Sequence, residues 1–263
     1  MRTRLVTVAL SALLLACSDA KQQQPETPLD PAGKPAVIID DTPVEALAIG
    51  GTIVALNNDN SLADPENVGW RDAQEYRLDL TLAPPVHSSI NLRHDATAAP
   101  RSAFLRAASD GKNFYLRMRW SDSSDNGATG RTEFADAAAV QFALDAGAAT
   151  SFMMGAPRDP VNIWYWKAGG SAPQNLAAGG FGTTSLLESA GLTSRSVYRN
   201  KGEWVVVFSR PIRAEGDHQV ALVNGSASMA FALWQGDNKQ RDGLKHVTMG
   251  WVTLQSAPEE PAS

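Results

Sequence analysis

The sequence is poorest in cysteine: Cys17 is the only one in 263 residues. That excludes an intramolecular disulfide, a cysteine-ligated iron–sulfur cluster and the CxxCH motif of covalent haem attachment. Histidine is almost as scarce. The four histidines, His87, His94, His218 and His246, show no metal-site spacing such as HxH or HxxxH, and the first three read as scattered surface or loop residues. GxGxxG, P-loop, HExxH and GxSxG motifs are all missing, and no serine sits in a nucleophile elbow. Basic residues are outnumbered by acidic ones, 23 to 28, and an acidic body argues against nucleic acid as a partner. Helical periodicity is lacking too: no segment of 12 or more residues carries a convincing apolar stripe. FADAAAVQ has the alanine content of a helix but leads straight into a strand pattern.

What is present begins with a targeting segment. Arg2 and Arg4 precede an apolar run from Leu5 to Ala16, too short to span a bilayer as a mature helix. Leu14-Leu15-Ala16-Cys17 resembles a bacterial lipobox. It implies a signal peptide over residues 1–16, a diacylglycerol on Cys17 and cleavage before it. Residue 18 is Ser rather than Asp, which by the usual sorting pattern favours the outer membrane, facing the periplasm, over inner-membrane retention. Cleavage removes Arg2 and Arg4, leaving 21 basic against 28 acidic residues, so the formal charge moves from −5 to −7. Membrane association is then expected through the lipid alone. Residues 17–42, rich in Gln, Pro and charge, read as a flexible tether. Residues 256–263 read as a loose tail.

Between them, over 43–255, the dominant period is two. YRLDLTL sets Tyr76, Leu78, Leu80 and Leu82 on one face. NFYLRMRWSD sets Phe114, Leu116, Met118 and Trp120 inward and Tyr115, Arg117 and Arg119 outward. VQFALD, EWVVVFS, MAFALW and HVTMGWVTL are further strand-like runs, each bounded by Gly, Pro, Asn or Asp. The expectation is an all-β fold: one antiparallel β-sandwich with long loops, two of them at 121–135 and 168–195.

SDSSDNGATG has the oxygen-rich look of a weak calcium loop, but it lacks EF-hand spacing, and turn chemistry accounts for it. The seven tryptophans and four tyrosines raise the possibility of a carbohydrate-binding platform on a haem-free lipoprotein. In a strand Trp164 and Trp166 share a face and Tyr165 takes the other. Met153 and Met154 lie beside Gly155, a Pro-flanked loop and this aromatic run. Methionine ordinarily fills gaps in cores, and that reading stands for both. The alternative is an axial ligand to haem iron, for which thioether is a known type. A second ligand need not be histidine. Lys245 follows a polar, Gly-containing turn at the start of a strand, and a deprotonated amine can bind iron. The ordinary reading of Lys245 is a solvated strand-end lysine.

Four stretches together carry a resemblance: FADAAAVQFAL (134–144), SFMMGAPRDPVNIWYWKA (151–168), GEWVVVFSRPI (202–212) and MAFALWQGDNKQRDGLKHVTMGWVTL (229–254). In order and spacing they resemble the haem b-binding gamma subunits of type II enzymes of the dimethyl sulfoxide reductase family, a group that includes ethylbenzene dehydrogenase, dimethylsulfide dehydrogenase, selenate reductase and chlorate reductase. ENVGWRDAQEYRLDLTL resembles that family's first strand. The resemblance implies a β-sandwich holding one non-covalent b-type haem per chain, with methionine and lysine as axial ligands. The lysine matches Lys245. The methionine is Met153 or Met154, with Met154 favoured because it abuts the Gly155 turn; on an extended chain the two would face opposite ways. Lys239 and Lys167 are weaker lysine candidates, and His246 would face away from Lys245. Trp164, Trp166 and Trp234 would line the pocket or pack beneath it. The implied role is an electron relay without substrate turnover of its own. Its partners would be the molybdenum and iron–sulfur subunits of such a complex, or a periplasmic cytochrome. The lipobox departs from the family pattern, in which gamma subunits are typically soluble.

Overall fold

The computed structural model describes residues 43–256, apart from 96, 128–129, 131, 146–148, 201, 224–225 and the side chains of residues 89 and 256. The expected signal peptide over 1–16, the expected lipid site at Cys17, the expected tether over 17–42 and residues 257–263 lie outside the described residues.

The regular structure of the described chain is almost all strand: β1 (Val44–Ala46), β2 (Thr52–Asn57), β3 (Glu75–Leu82), β4 (Arg101–Ser109), β5 (Asn113–Ser121), β6 (Ala137–Ala143), β7 (Val161–Lys167), β8 (Gln174–Ala178), β9 (Ser185–Leu186), β10 (Thr193–Arg199), β11 (Glu203–Pro211), β12 (Ser226–Trp234), β13 (His246–Val247) and β14 (Val252–Ser256). Two single helical turns, Val68–Arg71 and Ser88–Asn91, interrupt it. One layer runs β10-β11-β5-β4-β3-β1, the other β14-β12-β6-β7-β8-β9. β2 bridges β4 to β14, and β13 bridges β3 to β12, so the sheet continues from one layer into the other. The expected sandwich is therefore partly closed along one side. It is also not wholly antiparallel: β1–β3, β2–β4 and β2–β14 are parallel pairs. Periodicity reports which face a strand buries, not which partner it finds or in which direction.

The facing surfaces of the layers make the main core. Leu78, Leu80, Leu105, Leu116, Met118 and Phe208 come from the first layer, and Val140, Phe142, Trp164, Trp166 and Phe231 from the second. Trp164 is fully buried, its ring 4.6 Å from Phe142 and 6.4 Å from Phe208, centroid to centroid. Trp166 stacks edgewise on Trp204 at 4.9 Å and on Trp120 at 6.0 Å.

Period two holds in β3, where Arg77 and Asp79 are exposed between buried neighbours. In β5 it holds for the inward set only, because Tyr115 and Arg117, expected outside, are buried as well. The segment around Leu62, Trp70 and Ala73 covers this outer face and packs on Tyr115 and Val207. Beside it the Glu75 carboxylate accepts from Arg119 Nη2 at 2.5 Å and Arg106 Nε at 3.2 Å, with Arg117 at 3.7 Å. Burial alone would raise the Glu75 pKa, but hydrogen bonds and charge from Arg119, aided by Arg106 and Arg117, hold it below its ordinary value.

The alanine-rich stretch is strand, not helix. Every residue of β6 is buried: β7 and β12 flank it, its inner face packs in the core, and its outer residues Ala139 and Gln141 lie at the bottom of a recess. The expected long loop 168–195 contains β8, β9 and the start of β10, whose Gly- and Ser-rich surroundings obscure them. At the head of β6, buried Asp136 accepts from Asn126 N (2.8 Å), Gly236 N (2.8 Å) and Trp204 Nε1 (3.0 Å). This carboxylate fixes the root of the 235–245 arm that carries Lys245.

Candidate cofactor-binding site

The outer face of the second layer carries a cavity of about 1120 Å³, just above the roughly 300–1,000 Å³ range usual for small-molecule and cofactor sites. Its floor follows from the strand register. Ala139 of β6 lies opposite Tyr165 of β7 and Ala232 of β12, and Gln141 lies opposite Ile163 and Ala230. Alanine at 139, 230 and 232 leaves space where larger side chains would fill it.

Met153 and Met154 both line the cavity. The extended chain assumed for them is a tight turn instead: Gly155 N donates to Ser151 O at 2.9 Å and Met153 N to Ser151 Oγ at 3.1 Å. Met154 has φ 65 and Gly155 φ 72, two left-handed residues in succession. A non-glycine residue there costs on the order of 1 kcal/mol or more and persists only where surroundings enforce it. Enforcement comes from Gly180 N, which donates to Met154 O at 2.8 Å. A Cβ on residue 155 would also lie only 2.8 Å from Asp159 O and 2.9 Å from Ala178 O, so glycine is required there.

Lys245 enters from the opposite part of the sequence, at a bend just before β13. Its carbonyl accepts from Ala83 N at 2.8 Å. Its Nζ stands 4.8 Å above the Trp234 ring centroid and 4.0 Å from Met154 Sδ. Trp234 is held in turn: its Nε1 donates to Asp242 O at 3.1 Å, and Tyr165 meets it edge-on at 5.4 Å. Lys245 has no salt bridge among the described residues. It keeps some exposed surface, which faces the cavity, yet protein atoms crowd its ammonium. That burial pushes the pKa from 10.5 down to about 8, opposed weakly by Asp242. Burial likewise pushes the Tyr165 phenol up to about 12.

The other expected residues divide. Trp234 lines the cavity. Trp164 and Trp166 do not: strand alternation turns both into the core beneath the floor, and the aromatic facing the cavity is Tyr165. His246 does face away from Lys245, buried with Nδ1 3.3 Å from Gln240 Nε2. Lys239 is exposed on the turn after β12 and stays outside the cavity, whereas Lys167 lines its rim. Sequence reasoning missed Tyr165 and the alanine floor. The signal available was small residues at alternate positions, 137 and 139 in one strand and 230 and 232 in another.

The pair fits a metal. With zinc bond lengths as a guide to first-row metals, about 2.0–2.1 Å to nitrogen and about 2.3 Å to sulfur, two ligand atoms across one ion stand about 4.3 Å apart. The separation found, 4.0 Å, is within a few tenths of that. A neutral amine is a ligand, and burial, which lowers the Lys245 pKa to about 8, makes its proton easier to displace. The cavity volume of about 1120 Å³ leaves room for a macrocycle around such an ion.

Fold and site together define a β-sandwich with a prosthetic-group-sized cavity on one outer face, closed over by a thioether and a poorly solvated amine. The chain belongs to the ethylbenzene dehydrogenase family, whose model matches residues 67–196 and 187–246. The resemblance read from the sequence holds among individual relatives. Dimethylsulfide dehydrogenase subunit gamma of Rhodovulum sulfidophilum is 38% identical over 202 residues, spanning 74% of this chain and 76% of that protein. A protein of Haloferax mediterranei described as a respiratory nitrate reductase heme subunit is 30% identical over 186 residues, spanning 70% of this chain and 65% of that protein. Among solved structures, one described as a carbohydrate-binding protein from Bacteroides uniformis ATCC 8492 superposes with a TM-score of 0.50 at 13% identity, covering 81% of this chain and 99% of that one. At that identity the likeness concerns the fold alone.

Proposed function

We propose that this domain holds one non-covalent b-type haem between Met154 and Lys245, and that it serves as an electron-transfer subunit of a molybdenum/iron–sulfur oxidoreductase. The observation that carries the reading is the 4.0 Å approach of Met154 Sδ to Lys245 Nζ across the cavity. The haem supplies a one-electron store at its iron. The chain's own residues do the rest. The strained turn at Met154 and Gly155 presents the sulfur without needing the ligand to organise it. Trp234 and Tyr165 wall the amine from water, and burial lowers the cost of removing its proton. If Met154 and Lys245 both held the iron, no coordination site would be left for a substrate, and the chain by itself would turn none over.

Family membership and the names of the two relatives support molybdenum and iron–sulfur subunits as partners, with a periplasmic cytochrome as the other candidate. The sequence around Cys17 supports export, a lipid anchor facing the periplasm and, through Ser18, the outer membrane. The rival reading, a sugar platform, lacks its aromatic surface: six of the seven tryptophans are buried and Trp251 is partly so.

The test is an absorption spectrum of full-length protein expressed with its export signal and with haem available. A Soret band that is lost or shifted by Lys245→Ala and by Met154→Ala supports the pair. A spectrum unchanged by both substitutions removes it.

A further inference from the structure

Three cationic side chains line the cavity among the described residues: Lys245 within it, and Lys167 and Arg241 at its exposed rim. The two rim cations lie at one end. Lys167 shares a register row with Ala137 and Trp234 across β7, β6 and β12. Arg241 is next to Asp242, whose carbonyl receives Trp234 Nε1. Two strand spacings of about 4.8 Å separate the Lys167 and Trp234 backbones by roughly 10 Å, a span that two flexible cationic arms can close toward a group centred beside Trp234. At the far end the floor is apolar, with Ile163 and Leu176 adjacent in register.

A b-type haem has matching asymmetry, with two carboxylates along one edge and hydrocarbon elsewhere. We infer that Lys167 and Arg241 bind these two carboxylates and thereby set the rotational orientation of the porphyrin in the cavity; this rests on the haem reading above. Lys167 has no ion pair among the described residues. Arg241 has only a loose one, Nε to Asp242 Oδ2 at 3.6 Å, both side chains more than half exposed. Such exposed pairs are exchanged at little cost. Arginine also offers a planar fork suited to a carboxylate. Two acids work against the arrangement. One is Asp242 itself; the other is Glu133, which accepts from Gly130 N at 3.0 Å.

The experiment compares uptake and release of iron protoporphyrin IX with those of its dimethyl ester, in the full chain and in Lys167→Met/Arg241→Met. The wild type should release the free acid about tenfold more slowly than the ester, the equivalent of about 1.4 kcal/mol. The double variant should release both at similar rates, with axial-ligand bands unmoved because Met154 and Lys245 are intact. Lys167→Arg/Arg241→Lys, which keeps both charges, should retain most of the preference and guards against misfolding as the cause. Equal handling of acid and ester by the wild type overturns the inference and leaves the haem reading standing, as does a preference that survives in the double variant. If neither porphyrin gives a ligated spectrum, the haem reading is overturned, and this inference with it.

Discussion

Replacing Lys245 with methionine should make the haem-free protein more stable at neutral pH, although it removes the proposed ligand. The lysine is protonated in the unfolded chain below its ordinary pKa of 10.5, but burial lowers the folded value to about 8. At about 1.36 kcal/mol per pH unit of difference, keeping the ammonium charged in the fold costs about 3 kcal/mol, an upper figure because the side chain retains some contact with the cavity. Loss of the stacking over Trp234 gives back about 0.5–1 kcal/mol, so a net gain of about 2 kcal/mol is expected. The sign with pH is fixed by proton counting. Between about pH 8 and 10.5 the unfolded state binds more protons than the folded state, so wild-type stability rises through that window. The variant lacks this rise, so its advantage should be full below pH 8 and vanish above 10.5. Urea melts of both proteins across pH 7 to 11 measure the difference directly. A less stable variant, or an advantage independent of pH, would refute the claim that this amine is buried without a counter-ion.

Further consequences follow from the same geometry. Gly155→Ala forces a Cβ against Asp159 O and Ala178 O at positive φ; it should cost about 1–3 kcal/mol, seen as a lower melting temperature, and weaken haem retention by misplacing Met154. Ala232→Leu fills the cavity floor from a β12 position; haem uptake in a titration should fall about tenfold or more, about 1.4 kcal/mol, with the circular dichroism melt nearly unchanged. Glu75→Gln takes the shared carboxylate from Arg106, Arg117 and Arg119, of which Arg119 keeps Glu203 at 2.8 Å; it should destabilise by about 3 kcal/mol at neutral pH. Because the folded Glu75 pKa lies below its ordinary 4.5, that gap should be complete above 4.5 and close as pH falls through the folded value.

The parts of this structure legible in the sequence are those set by local alternation. The buried face of β3, the inward set of β5 and the shared face of Trp164 and Trp166 all follow from period two. What escaped depends on remote partners. Tyr115 and Arg117 are buried because the 62–73 segment folds over them, and no local pattern announces a lid. The parallel β2–β14 pair joins strands from opposite ends of the domain. Lys245 and Met154 were drawn together by resemblance rather than by pattern: 91 positions separate them. The left-handed turn that aims Met154 is held by Gly180 N, and Tyr165 rather than its tryptophan neighbours walls the cavity because the other layer covers their face; neither cause is local in sequence.

The near-infrared magnetic circular dichroism of the ferric protein reports the axial pair most directly. The account predicts a six-coordinate, low-spin amine–thioether signature in the wild type, kept by Met153→Leu and abolished by Met154→Ala and Lys245→Ala. A high-spin iron in the wild type, a bis-histidine signature, or a signature that survives both alanine substitutions would contradict it.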